Sequence, residues 1–312
     1  MRRRVAITGA GLVSPVADSP AALVEALAAG RALSQRTDFD PARELAPRNT
    51  RPLDRLSQLV VAATARALDA AGCDAGYRAA NPVGLALGTV FSGVRTICAF
   101  DRRALEAGPQ YVSPLDFANT VLNAAAGQAA IWHQLRGANA TIAAGGASGL
   151  QAIAYAADMI ASGAIDVMVA GGADERSPEA AAALADAGLS QTGGGAPLGE
   201  AAAMVVLEAE DTARARGVEI RAMIVGQASA MSHTVGRAAL EEAGIADADL
   251  RITADTVRAV AGDTLGAAGA LQVIAALETL RAQPRIHTVL VDTTGADGQC
   301  CAMVLAAPGA RG

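Results

Sequence analysis

The sequence predicts a layered α/β protein with two related halves. Three observations lead there. Short apolar runs of strand length alternate with segments of helical period. Alanine and glycine dominate those segments: 33 glycines and only 3% aromatic residues stand in a chain that is 52% hydrophobic. Small side chains let helices and strands approach closely, which suits packed layers. The strand–helix alternation also starts again after about residue 216, as a duplicated unit would.

In chain order, Val5–Thr8 reads as a buried strand followed by a turn at Gly9-Ala10-Gly11. Ser19 caps and Gly30 stops a helix, and a Pro- and Arg-bearing stretch then runs to Pro52. Residues 54–71 form an amphipathic helix through Leu56, Leu59, Val60, Ala63 and Leu68, closed by Gly72. Residues 83–87 are a strand, with helices expected over 95–105 and 118–135. The next unit is the most regular: strand 140–144, turn Gly145-Gly146, helix 148–162 and strand 166–170, followed by strand 202–208. The second half repeats the theme with strand 220–226, helices 236–243 and 266–280, and strands 287–292 and 302–306.

Several functions are disfavoured at once. A net charge of −6 lacks the basic footprint that nucleic acid or an anionic membrane requires. Three arginines ahead of an apolar run imitate a signal peptide, but glycines break the run and Asp18 ends it, so a first strand is expected instead. No stretch reads as a membrane span, and a cytoplasmic protein is expected. Cys73, Cys98, Cys300 and Cys301 show neither CxxC nor zinc spacing. His133, His233 and His287 stand alone, so no metal is expected. Gly9-Ala10-Gly11 is a weak dinucleotide signal, since Ser14 replaces the third glycine and Pro15 follows. Gly193-Gly194-Gly195 lacks a following Lys and reads as a turn, so no cofactor is expected.

The segment from Thr141 to Ser177 carries the chemistry. Its strand, sharp turn and helix would hold one residue at a helix N-terminus, where backbone N–H groups favour a thiolate or an oxyanion. The segment resembles the nucleophile elbow of β-ketoacyl synthases, which reads approximately TACSSG, then a helix and DVMVAGG. Further stretches resembling that family follow in order: VAITGAGLVSP, RLSQLVVAATARALDAAG, VGLALGT, SPLDFANTVLNAAAG, QLRGAN, LGEAAAMVVLE and GDTLGAAGALQ. The resemblance implies the thiolase fold, a five-layered αβαβα sandwich. Here it would comprise an N-terminal half, 1–210, and a shortened C-terminal half, 211–312.

The resemblance does not extend to the catalytic residues. The family's cysteine falls at Gly146, its GHxLGAAG histidine at Asp263, and the lysine upstream at Arg258. The HGTxT segment has no room between Gly244 and Asp263. A carboxylate at Asp263 accepts hydrogen bonds but would repel an enolate. The family's GFGGTN gating loop reads Gly295-Ala296-Asp297-Gly298-Gln299-Cys300.

By the same resemblance, Phe91 stands at the acyl-pocket gate and Val94, Ile97 and Asp101 line the acyl tunnel from one helical face. Asp116 and Phe117 match the stretch that reaches into a dimer partner's pocket. The expected function is that of a non-catalytic chain-length factor. It would pair with an active ketosynthase, and through it with an acyl carrier protein, in type II polyketide synthesis. Glycine rather than glutamine at position 146, and the short chain, point to a divergent branch such as the factors for polyene or highly reduced chains. Two other readings stay open: a residual malonyl-carrier decarboxylase and a structural scaffold.

Overall fold

The computed structural model describes residues 2–30, 37–46, 48–189 and 197–309. The Gly193-Gly194-Gly195 turn lies outside the described residues. The first half runs β1 (Val5–Val13), α1 (Pro20–Ala29), α2 (Pro41–Glu44), α3 (Arg55–Ala70), α4 (Ala75–Ala80), β2 (Val83–Gly88) and α5 (Val94–Ala107). It continues through α6 (Pro114–Phe117), α7 (Ala124–His133), β3 (Asn139–Ile142), α8 (Ser148–Ala161), β4 (Val167–Asp174), α9 (Pro178–Asp186) and β5 (Ala201–Ala209). The second half runs α10 (Glu210–Arg216), β6 (Ala222–Ala230), α11 (Val235–Ala243), β7 (Leu250–Thr253), α12 (Ala254–Ala261), α13 (Ala268–Ala282), β8 (Thr288–Thr294) and β9 (Cys300–Ala306).

The strands order as β3-β2-β4-β5-β1-β6-β9-β8-β7. This order holds the predicted duplication. Outward from β1, pairing is antiparallel with β5, antiparallel again to β4, then parallel to β2 and β3. Outward from β6, it is antiparallel with β9, antiparallel to β8, then parallel to β7, where the described strands stop one short. Val5–Ile7 of β1 pair antiparallel with Ala222–Ile224 of β6 where the two strand sets meet.

Alternating side chains build the layers. Along β5, Ala203, Val205 and Leu207 face one cluster while Ala202, Met204 and Val206 face another. Along β9, Cys301, Met303 and Leu305 face the central cluster and Cys300, Ala302 and Val304 the outer one. The nine strands form one continuous sheet; α3 and α7 cover its β3-to-β1 part outside, α8 and α13 fill the middle, and α11 covers its β6-to-β7 part outside. That is the five-layered α/β sandwich. The one stretch among the described residues long and apolar enough to cross a membrane, Leu265–Ala282, is 89% buried as the central helix.

Glycine sets the closest contacts. A Cβ on Gly149 would lie 2.2 Å from the Gly266 carbonyl oxygen, so α8 meets the segment entering α13 with no room for a methyl group. The same physics corrects one expectation. Gly9-Ala10-Gly11 is strand, not turn, because Cβ atoms on Gly9 and Gly11 would each meet the α3 backbone at 2.4 Å. The helix expected over 118–135 begins only at Ala124, after α6. Helices α4, α9 and α10 and strand β7 had no strong apolar period to announce them, and the apolar period of α12 is only two turns long.

Candidate functional site

The turn between β3 and α8 is built from the backbone. Gly145 takes a left-handed φ of 53°, which a side chain resists. The Ser148 hydroxyl accepts from the Ala144 N–H at 2.8 Å and donates to the Gly145 carbonyl at 2.6 Å. Thr293 Oγ1 donates to the Gly146 carbonyl at 3.2 Å. Gly146 thus sits where α8 begins and presents no side chain.

Above this turn lies a cavity of about 350 Å³. It gathers six of the residues singled out from sequence: Phe91, Gly146, Arg258, Asp263, Gly295 and Ala296. Val90, Leu184, Leu189, Leu265 and Ala268 make much of the remaining wall apolar. The five other candidates lie elsewhere. Val94, Ile97 and Asp101 sit on α5, the first two half-buried and Asp101 exposed. Asp116 and Phe117 are exposed on α6, where the Phe117 ring lies 5.8 Å from that of Phe100.

The polar groups of the cavity hold one another. Arg258 donates to Asp255 at 2.6 Å and stands 4.0 Å from Asp263. Asp263 Oδ1 accepts from the Leu265 N–H at 3.1 Å, and its backbone bridges to Leu198. Sequence reasoning gave no role to Asp297, yet its carboxylate covers the turn: a Cβ on Gly145 would lie 2.9 Å from Oδ1. Gln151 Nε2 on α8 donates to Gln299 Oε1 at 3.1 Å and latches the 295–299 loop down. With two carboxylates and one guanidinium, the cavity opposes an incoming anion.

Asp174 was also missed, although a carboxylate ending the VMVAGG run is the signal that finds it. It is fully buried and joins three walls of the cavity. Thr89 Oγ1, the N–H groups of Val90 and Phe91, and the N–H of Gly266 all donate to it, at 2.9–3.1 Å. Burial pushes its carboxyl up to about 6 against those four donors.

No thiol or imidazole lines this cavity among the described residues. His133 is buried against the Val61 carbonyl, and burial lowers it to about 4. His233 stands 3.8 Å from Cys300, beneath the 295–299 loop rather than in the cavity. The hydroxyls among its described lining residues belong to Thr293 and Thr294, and Thr293 is committed to the Gly146 carbonyl.

Residues 30–213 match the family model described as the β-ketoacyl synthase, N-terminal domain. The 3-oxoacyl-[acyl-carrier-protein] synthase 2 of Vibrio cholerae is 32% identical over 258 residues, covering 72% of this chain and 62% of that protein. The granaticin polyketide β-ketoacyl synthase 1 of Streptomyces violaceoruber is 28% identical, covering 73% and 64%. The chain therefore spans about three fifths of the length of the curated relatives it matches. Among solved structures, the ishigamide ketosynthase/chain length factor superposes with a TM-score of 0.87 at 21% identity, over 99% of this chain and 100% of that one. That likeness establishes the fold.

Proposed function

The chain belongs to the β-ketoacyl synthase family, and from that premise we propose that it is a non-catalytic chain-length factor. It pairs with a catalytic ketosynthase and shapes the acyl tunnel of the pair, in type II polyketide synthesis of the polyene or highly reducing kind. The observation that carries this reading is the cavity around Gly146: its walls and elbow are assembled, and no thiol or imidazole lines it among the described residues. Drift towards a useless protein would erode the buried Asp174 network as readily as the nucleophile. Here the network stands complete.

The surface supports a partner. Helix α5 has no fully buried residue, and its neighbourhood exposes Leu105, Tyr111, Leu115, Phe117, Val121 and Leu122. A cluster of large apolar side chains in water favours association. Strand β3 ends the sheet with an unpaired edge and carries neither charge nor proline to guard it. An acidic cavity with no thiol among its described lining residues also disfavours malonyl-carrier turnover by this chain alone.

The test is co-expression of the tagged chain with the ketosynthase encoded beside it. A one-to-one complex that elongates a carrier-bound acyl chain only with both subunits present is expected. A stable homodimer that ignores the ketosynthase overturns the proposal.

A further inference from the structure

One carboxylate of the cavity is seated by the backbone and answered by no cation. Asp297 lines the cavity from an exposed position and folds back over the turn before α8. Its Oδ1 would lie 2.9 Å from a Cβ on Gly145 and would meet a Cβ on Gly295 more closely still. Two glycines therefore make the room in which this carboxylate rests. The Cβ place on Gly295 is also 3.1 Å from the Gly146 amide nitrogen, so the carboxylate lies over the residues that lead into α8. The N-terminal end of a helix favours negative charge and is where an anion would otherwise settle. The Gln299 N–H donates to Oδ1 at 3.2 Å, and no cation among the described residues pairs with it. The cavity's own cation is committed elsewhere: Arg258 donates to Asp255 at 2.6 Å and faces Asp263 at 4.0 Å. Around these groups the wall is apolar, through Val90, Phe91, Leu184, Leu265 and Ala268.

A cavity of about 350 Å³ lies at the small end of the sites that hold small molecules, roughly 300–1,000 Å³, and suits a short aliphatic chain. We propose that Asp297 determines which chain enters. Its carboxylate fills the place at the start of α8 that an anionic ligand end would take. The cavity therefore admits an aliphatic chain led by an uncharged or cationic group and excludes one led by a carboxylate. Asp263, an acceptor only, adds to the same preference. That the admitted group is the leading end of a growing acyl chain rests on the chain-length-factor reading; the charge preference of the cavity does not.

The experiment titrates the isolated wild type with octanol, octylamine and octanoate at neutral pH and low salt. Binding is read from the backbone amide NMR signals of Gly145, Gly146 and Gly295. The alcohol and the ammonium should shift these signals. Octanoate should bind roughly 10-fold more weakly than the alcohol, as one solvent-screened charge would impose. Asp297→Asn removes the charge and keeps an oxygen for the Gln299 N–H, so octanoate should come within about 2-fold of the alcohol. Equal binding of octanoate and alcohol by the wild type, or an unchanged gap in Asp297→Asn, overturns the role of Asp297. Shifts confined to the α5–α6 face, or none with any probe, overturn the cavity as a ligand site. If Asp297→Asn does not fold, salt takes its place. At about 1 M the Debye length falls to about 3 Å, and a wild-type gap that fails to narrow there overturns the proposal. Failure of the chain to pair with a ketosynthase counts against the chain-length-factor reading, while the octanoate-to-alcohol ratio still decides the cavity.

Discussion

The middle layer and the α5–α6 face are built to opposite standards. Every residue of α13 from Ala268 to Leu280 is buried, and α8 meets the entry to α13 across glycines with no space for a methyl group. Helix α5 is amphipathic yet buries no residue fully, and Phe117 beside it is 61% exposed. The first region closes on itself, and the second leaves large apolar side chains in water. The contrast teaches that the proposed pairing would draw on the second region and leave the first untouched.

The harshest way to break this comparison is at the glycine contact. Gly149→Ala forces a methyl carbon to 2.2 Å from a backbone oxygen that cannot retreat without moving α13. A loss of about 4 kcal/mol or more, or failure to fold, is expected in urea denaturation. Asp174→Ala comes next. It strips the acceptor from three backbone N–H groups and a hydroxyl, with an expected cost of about 3–5 kcal/mol. A loss below about 1 kcal/mol would show that the cavity walls stand without their staple.

The open face should answer differently. Phe117→Ser removes an exposed ring that touches Phe100, so the isolated chain should lose at most about 1 kcal/mol. Affinity for the ketosynthase should fall roughly 30-fold, equivalent to about 2 kcal/mol, as titration calorimetry would measure. Equal losses in both assays would erase the distinction between core and docking surface. A gain-of-chemistry variant sharpens the same point from the pocket. On the proposed reading, Gly146→Cys should remain unable to elongate an acyl chain, because Asp263, an acceptor only, lines the same cavity.

What was legible in the sequence follows the physics of each segment. Strands buried on both faces, such as β4 and β5, and helices with an apolar period and caps, such as α3, could be read directly. Six pocket residues were reached through motif likeness, and the fold does bring them together. Gly9 and Gly11 were misread because a glycine needed for close approach looks in sequence like one needed for a turn. Helix α9 was missed because alanine and charge give no stripe to count, and α12 because its stripe of Val257, Val260 and Ala261 is only two turns long. Asp297 escaped for another reason. Its place over the turn depends on a neighbour more than a hundred residues away in the chain, Gly145.

The mildest expected change in stability carries the finest test. Val94 and Ile97 are half-buried on α5 at a spacing that puts them on one face. Enlarging either to Phe should change the stability of the isolated chain by no more than about 1.5 kcal/mol, since neither is locked in a close-packed core. In the paired enzyme the same substitution should narrow the acyl channel and shorten the product, read by mass spectrometry of the carrier-bound chain. If complex formation and product length both stay unchanged for Val94→Phe and Ile97→Phe, this face does not measure the chain, and the subunit acts as a scaffold. If product length shifts while pairing holds, α5 both docks and measures, which explains why an amphipathic helix is left uncovered in the subunit alone.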